Sequence, residues 1–175
     1  TVGQANAPDV TALVMVDLVP RVEAEGSQRI QAFMRARPEG FATVEEAADA
    51  VATYYPHRPR PKDPSGLMKN LRRRADGRLH WHWDPKFTAG PARVEPPEFA
   101  GTLLSAAARV RVPTLLVRGL RSDIVSDAGV AELRQWMPQL EVCDVAGAGH
   151  MVAGDRNDNF NRGVIDFLQR HVATR

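Results

Sequence analysis

The sequence predicts an α/β fold in which a parallel sheet is interrupted by a long helical insertion. Three observations predict it. The stretches TALVMV (residues 11–16), PTLLVRG (113–119) and LEVCDVA (140–146) are short and largely apolar, as strands buried in a parallel sheet are. From residue 96 onward strand and helix patterns alternate regularly, which is how parallel strands are connected. Residues 21–95 follow no such alternation and are helical, irregular and proline-rich.

The elements follow in order. Residues 1–9 read as a helix tail and a short loop, and the first strand ends at Asp17, Leu18, Val19 and Pro20, where proline stops it. Within SQRIQAFMRAR, Ile30, Phe33 and Met34 share one helical face until Pro38 and Gly40 break it. Thr43 and Glu46 form a capping-box pattern ahead of a second helix, EEAADAVATYY. After the proline-rich HRPRPKDP, Asp63 and Pro64 suit the cap and first turn of a third helix, SGLMKNLRRR. Ala75, Asp76 and Gly77 read as a turn, and RLHWHWD as a short extended segment closed by Pro85. PEFAGTLLSAAARV is helical, DAGVAELRQWM is an amphipathic helix with Ser126 as its cap, and FNRGVIDFLQRHV is a closing amphipathic helix. The expected organisation is therefore a core strand at 1–20, a helical cap or lid at 21–95 and a second core segment at 96–175. An excursion inserted after a strand end typically covers the site beneath it.

Composition narrows the function classes. The 175 residues carry a formal net charge of +2, with 43% hydrophobic and 25% charged residues. The one dense basic cluster, Arg72, Arg73 and Arg74 beside Lys69 and Arg78, lacks the broad basic face of a nucleic-acid binder. Cys143 is the only cysteine, so no intrachain disulfide forms, and a reducing, cytoplasmic setting is expected. No apolar run reaches the ~20 residues a membrane span needs.

The chemistry concentrates between Pro113 and Phe167. Asp123 lies in the polar loop after one strand, and His150 lies in the glycine-flanked loop GAGH after the next. The carboxyl ends of strands in an open parallel sheet are where active sites form. Each residue also has a plainer reading: His150 as a structural loop histidine, Asp123 as a turn or cap residue. Asp127 is placed to favour a helix N-terminus. His80, His82 and Asp84 alternate in HWHWD and would share one strand face, as a metal site requires. The alternative is a segment lending aromatic and imidazole surface to a pocket rim.

At these residues the chain resembles the C-terminal part of an α/β-hydrolase with a helical cap. TALVMVDLVP resembles the family's sixth strand running into the cap, VPTLLVRGLRSDIVS the seventh strand and its acid loop, VAGAGHMV the histidine loop and GVIDFLQRH the last helix. The fold class this implies is a partial α/β-hydrolase sheet, its last three strands, with an inserted cap. The resemblance makes Asp123 the triad acid and His150 the general base, the acid fixing the imidazole tautomer. It implies a small, largely apolar ester or amide as substrate, with Tyr54, Tyr55, Trp81, His82 and Trp83 at the substrate, and neither cofactor nor metal. In epoxide-hydrolase-like relatives cap tyrosines protonate the leaving oxygen, so Tyr54 and Tyr55 keep open an epoxide- or halide-cleaving alternative with an aspartate nucleophile; helix-end packing is their plainer role.

The family's nucleophile sits in a G-x-S-x-G elbow, and no such pentapeptide occurs in this sequence. ANAPDV resembles the region just after the nucleophile helix, so the elbow is expected upstream of Thr1. The upstream half of the fold would then be needed to complete the sheet, and the chain alone is expected to be an inactive fragment. A non-catalytic α/β binding module, or a subunit that completes another chain, is the competing reading.

Overall fold

The computed structural model describes residues 9–84, 86, 97–155 and 157–172. The expected helix tail before the first strand and the closure at Pro85 lie outside them. The described residues fall into two compact units, one within Thr1–Ser27 and Arg93–Arg175, the other within Gln28–Ala92.

The first unit is a parallel sheet of β1 (Leu13–Val16), β4 (Thr114–Gly119) and β5 (Leu140–Val145), in the order β1-β4-β5. All six residues of β4 are buried, as befits an apolar run covered on both faces and paired on both edges. Helices α3 (Pro97–Ala107), α4 (Asp127–Trp136), α5 (Val152–Asp155) and α6 (Asn157–His171) complete this unit. Helix α6 buries Phe167 in a core with Leu115, Val117, Val145, Ala148 and Val152, and Phe160 and Val164 pack against the same cluster. Their spacing of three and four is the apolar stripe of a helix laid on a sheet. Gly163 lets α6 approach closely, since a Cβ there would stand 2.5 Å from the Cys143 sulfur. Burial raises the Cys143 thiol pKa. Ser126 caps α4 as expected, its Oγ accepting from Gly129 N at 3.2 Å.

A buried guanidinium ties the strand ends together. Arg118 on β4 donates to both carboxylate oxygens of Asp144 on β5, at 2.8 and 3.3 Å. Its other terminal nitrogen lies 2.6 Å from Asp127 in the first turn of α4. Such a charge is tolerated in a strand only because both its partners are anionic.

The second unit contains most of α1 (Ala24–Arg35), then α2 (Val44–Tyr54), a 3₁₀ turn (Ser65–Asn70) and the antiparallel hairpin β2 (Leu71–Arg73) and β3 (Leu79–Trp81). Thr43 Oγ1 accepts from Glu46 N at 3.3 Å, while the Glu46 carboxylate reaches back to Ala42 N at 2.7 Å. This is the expected capping box shifted by one residue on its return bond. The expected third helix stops early. Leu71, Arg72 and Arg73 form a strand because the turn at Asp76 and Gly77 returns Leu79–Trp81 against them, burying Leu71 and Leu79 with Phe41, Ala47 and Trp81.

Candidate active site

The three parallel strands run in register, Val16 level with Val117 and Gly119 level with Val145. Their C-terminal ends therefore form one rim, and one side chain from the loop after each strand meets there. Asp17 follows β1 directly. Its backbone N–H continues the ladder to Val117 O at 2.8 Å. It then turns through a positive φ of 48°, a conformation aspartate tolerates better than most residues. That turn sends the carboxylate toward the ends of the neighbouring strands, where it is completely buried.

Three donors satisfy it. Gly119 N donates to Oδ1 at 3.1 Å, and Ser122 Oγ donates to Oδ2 at 2.6 Å. His150 Nδ1 lies 2.9 Å from the same Oδ2. A carboxylate can only accept here, so Nδ1 is the donor, and the tautomer that fits this bond has its lone pair on Nε2. The imidazole side chain is 31% exposed. Nε2 makes no hydrogen bond among the described residues. A buried carboxylate thus fixes the ring's orientation and tautomer and leaves the far nitrogen unbonded among the described residues, the arrangement of a general base.

The loops are locked to one another by main-chain bonds. Leu120 N donates to Val145 O at 3.1 Å and Arg121 N to Ala148 O at 2.8 Å. Gly147 turns the histidine loop with a φ of 75°. Gly119 lets that loop close, because a Cβ there would lie 2.3 Å from Gly149 O and 2.5 Å from Ala148 O.

The acid partner differs from the sequence expectation. The carboxylate that meets His150 belongs to Asp17, 133 residues away in sequence, where Asp123 was expected. Asp123 is half-buried in the loop after β4, and its main-chain carbonyl packs against Gly26 at the start of α1, where a Cβ would come within 2.0 Å. The loop after β4 reaches the site through Ser122, whose Oγ lies 2.6 Å from Asp17 Oδ2. In the sequence Asp17 reads only as the end of a strand, although an acid immediately after a buried apolar run is itself a sign of a carboxylate at a strand rim.

The expected substrate residues lie in the second unit. Tyr54 and Trp81 line a cavity of about 570 Å³ with Phe33, Phe41, Arg29 and Arg37, while Tyr55, His82 and Trp83 are absent from its lining. Tyr54 stacks on Phe33 at 4.3 Å between ring centroids, with the Arg29 guanidinium 5.0 Å from its own ring centre. Tyr55 packs edge-on to Tyr54 at 4.4 Å, and Trp83 stacks on Trp81 at 5.1 Å. His82 is exposed. His80, part of the HWHWD alternation, is buried with its Nε2 2.8 Å from Asp76. No group of three or more histidine, cysteine, aspartate or glutamate side chains suited to a metal occurs among the described residues. No helix among them is long and apolar enough to cross a membrane.

No protein-family model matches the chain. Over 153 residues it is 30% identical to 2-(acetamidomethylene)succinate hydrolase of Mesorhizobium japonicum, an alignment covering 85% of this chain and 52% of that enzyme. The crystal structure of an E-2-(acetamidomethylene)succinate hydrolase superposes with a TM-score of 0.74 at 25% identity, over 91% of this chain and 57% of that one. An esterase of Mycobacterium tuberculosis superposes with a TM-score of 0.65 at 30% identity, over 93% of this chain and 54% of the esterase. The chain thus spans about half the length of the curated relative and of these solved structures. With its parallel β1-β4-β5 sheet and helices matching these hydrolases over nearly its whole length, the chain has the α/β-hydrolase fold.

Proposed function

We propose that this chain carries the base and the acid of a hydrolase, His150 and Asp17, and that the nucleophile comes from outside these 175 residues. The observation that supports the reading is the bond from His150 Nδ1 to the buried Asp17 carboxylate, which leaves Nε2 as the open, basic nitrogen. The substrate is a small ester or amide. The relative's substrate name describes an acetamido compound, and the solved neighbour is an esterase.

In this reading Nε2 removes the proton from the nucleophile's hydroxyl as its oxygen attacks the substrate carbonyl. The resulting imidazolium is stabilised by the Asp17 anion. It then returns the proton to the departing alcohol or amine, leaving an acyl group on the nucleophile. Water attacks that acyl group with Nε2 again as base, the acid product leaves, and the nucleophile recovers its proton. Tyr54 and Trp81 are assigned to substrate binding by the cavity they line, and residues 21–95 act as the cap. The sheet is completed by a strand beside β1, which among the described residues pairs only with β4.

The test joins this chain to the part of the Mesorhizobium hydrolase that it does not align with. The 175-residue chain alone is expected to leave p-nitrophenyl acetate untouched, and the joined protein is expected to hydrolyse it. His150→Ala and Asp17→Asn should each lower kcat roughly 10³-fold or more. A joined protein that stays fully active as Asp17→Asn but dies as Asp123→Asn would overturn the acid assignment. Esterase activity of the chain alone that disappears in His150→Ala would overturn the external nucleophile.

A further inference from the structure

We propose that Ser122 is a positioning residue that holds the Asp17 carboxylate in the orientation from which it fixes His150; the proposal rests on the acid–base reading above. The hydroxyl's own bonding dictates its direction. Ser122 Oγ accepts from Ile124 N and Val125 N, both at 3.3 Å, and lies 2.6 Å from Asp17 Oδ2. A serine hydroxyl has one proton and two lone pairs. With two N–H groups on its acceptor side, its proton points to the carboxylate.

The hydroxyl therefore bridges the backbone of the loop after β4 and the acid after β1. The loop itself is held in a tight turn, Ser122 N donating to Gly119 O at 2.9 Å. Two of the three donors on the carboxylate, Gly119 N and Ser122 Oγ, come from this one turn. They grip opposite oxygens. The terminal torsion of an aspartate is broad and soft, so a grip on both oxygens sets the plane in which Oδ2 meets the imidazole. Ser122 also shares Oδ2 with His150. Without the hydroxyl, that oxygen keeps one protein donor and the carboxylate plane is held by Gly119 N and His150 alone.

The distinguishing readout is the imidazole itself, observed in the 175-residue chain by NMR with labelled histidine. The wild type should show a downfield His150 Nδ1–H resonance protected from solvent exchange. In Ser122→Ala that proton should exchange about tenfold faster, and the tautomer signature should become mixed. Ser122→Thr, which keeps the hydroxyl, should restore both. Asp17→Asn should lose the protected resonance altogether. If Asp17→Asn loses it but Ser122→Ala retains wild-type exchange, showing only a lower melting temperature, Ser122 is merely structural and the proposal falls while the acid–base reading stands. If Asp17→Asn also leaves the resonance unchanged, the acid–base reading itself fails. Should Ser122→Ala not fold by circular dichroism, Ser122→Cys decides: accelerated exchange supports positioning, and wild-type exchange overturns it.

Discussion

Gly119→Ala tests how tightly the candidate site is assembled. The added Cβ would lie 2.3 Å from Gly149 O, where ordinary contact begins at 3.4 Å, so the histidine loop must retreat by 3.4 − 2.3 = 1.1 Å. The obstacle is backbone, so no side-chain rotation relieves it. The loop's nearest anchors are Arg121 N to Ala148 O at 2.8 Å and His150 Nδ1 to Asp17 at 2.9 Å. A retreat of that size carries both out of hydrogen-bond range. One neutral and one charge-assisted bond together correspond to about 2–4 kcal/mol, a large share of the roughly 5–15 kcal/mol by which a typical domain is stable. Gly101→Ala is the control. A Cβ there would meet nothing within 4 Å, and the position lies in helix α3, where alanine should stabilise by roughly 0.5–1 kcal/mol. Urea unfolding followed by circular dichroism should move the two midpoints in opposite directions, and the protected His150 resonance should vanish only in Gly119→Ala. A Gly119→Ala protein within about 0.5 kcal/mol of wild type, with that resonance intact, would refute the close approach of the two loops.

Two further outcomes follow from packing and charge. Phe167 is 1% exposed beneath the sheet, so Phe167→Ala should cost about 3–5 kcal/mol in the same denaturation experiment; a loss below about 1 kcal/mol would mean that α6 does not seal that core. Asp76 is held below its ordinary pKa of 3.8, first by the Arg78 backbone N–H and then by His80. A depressed folded pKa gives stability that is present above the unfolded value and lost as pH falls through the folded one. Melting temperatures measured from about pH 5 down to about pH 2 should therefore fall less steeply in Asp76→Asn than in wild type, and identical slopes would remove the hairpin turn from the acid response.

Much of this architecture is legible in the sequence because burial leaves a direct mark on composition. TLLVRG reads as a central strand since all its side chains are covered, and the Thr43–Glu46 pair announces the start of α2 by spacing alone. The placement of the loop that carries His150 is legible too: it follows β5, and Gly147 does adopt a left-handed φ. The LRRR segment is the contrary case. Its residues favour a helix locally, and only the return of Leu79–Trp81 across the Asp76–Gly77 turn makes it a strand. That pairing is tertiary, and no window around Leu71 contains it.

The partner of His150 shows where such reading stops. Asp17 and Asp123 both follow buried strands, and periodicity treats them alike. What separates them is direction. Asp17 leaves β1 through a left-handed residue that turns its carboxylate across the strand ends, into reach of Gly119 N and His150. The loop carrying Asp123 sends the Ser122 hydroxyl to that carboxylate. One anion between Ser122 and His150 is balanced by three donors, whereas a second buried carboxylate on the same imidazole would add like-charge repulsion and a further desolvation cost. The turn after β4 thus supplies a hydroxyl donor to the anion that follows β1.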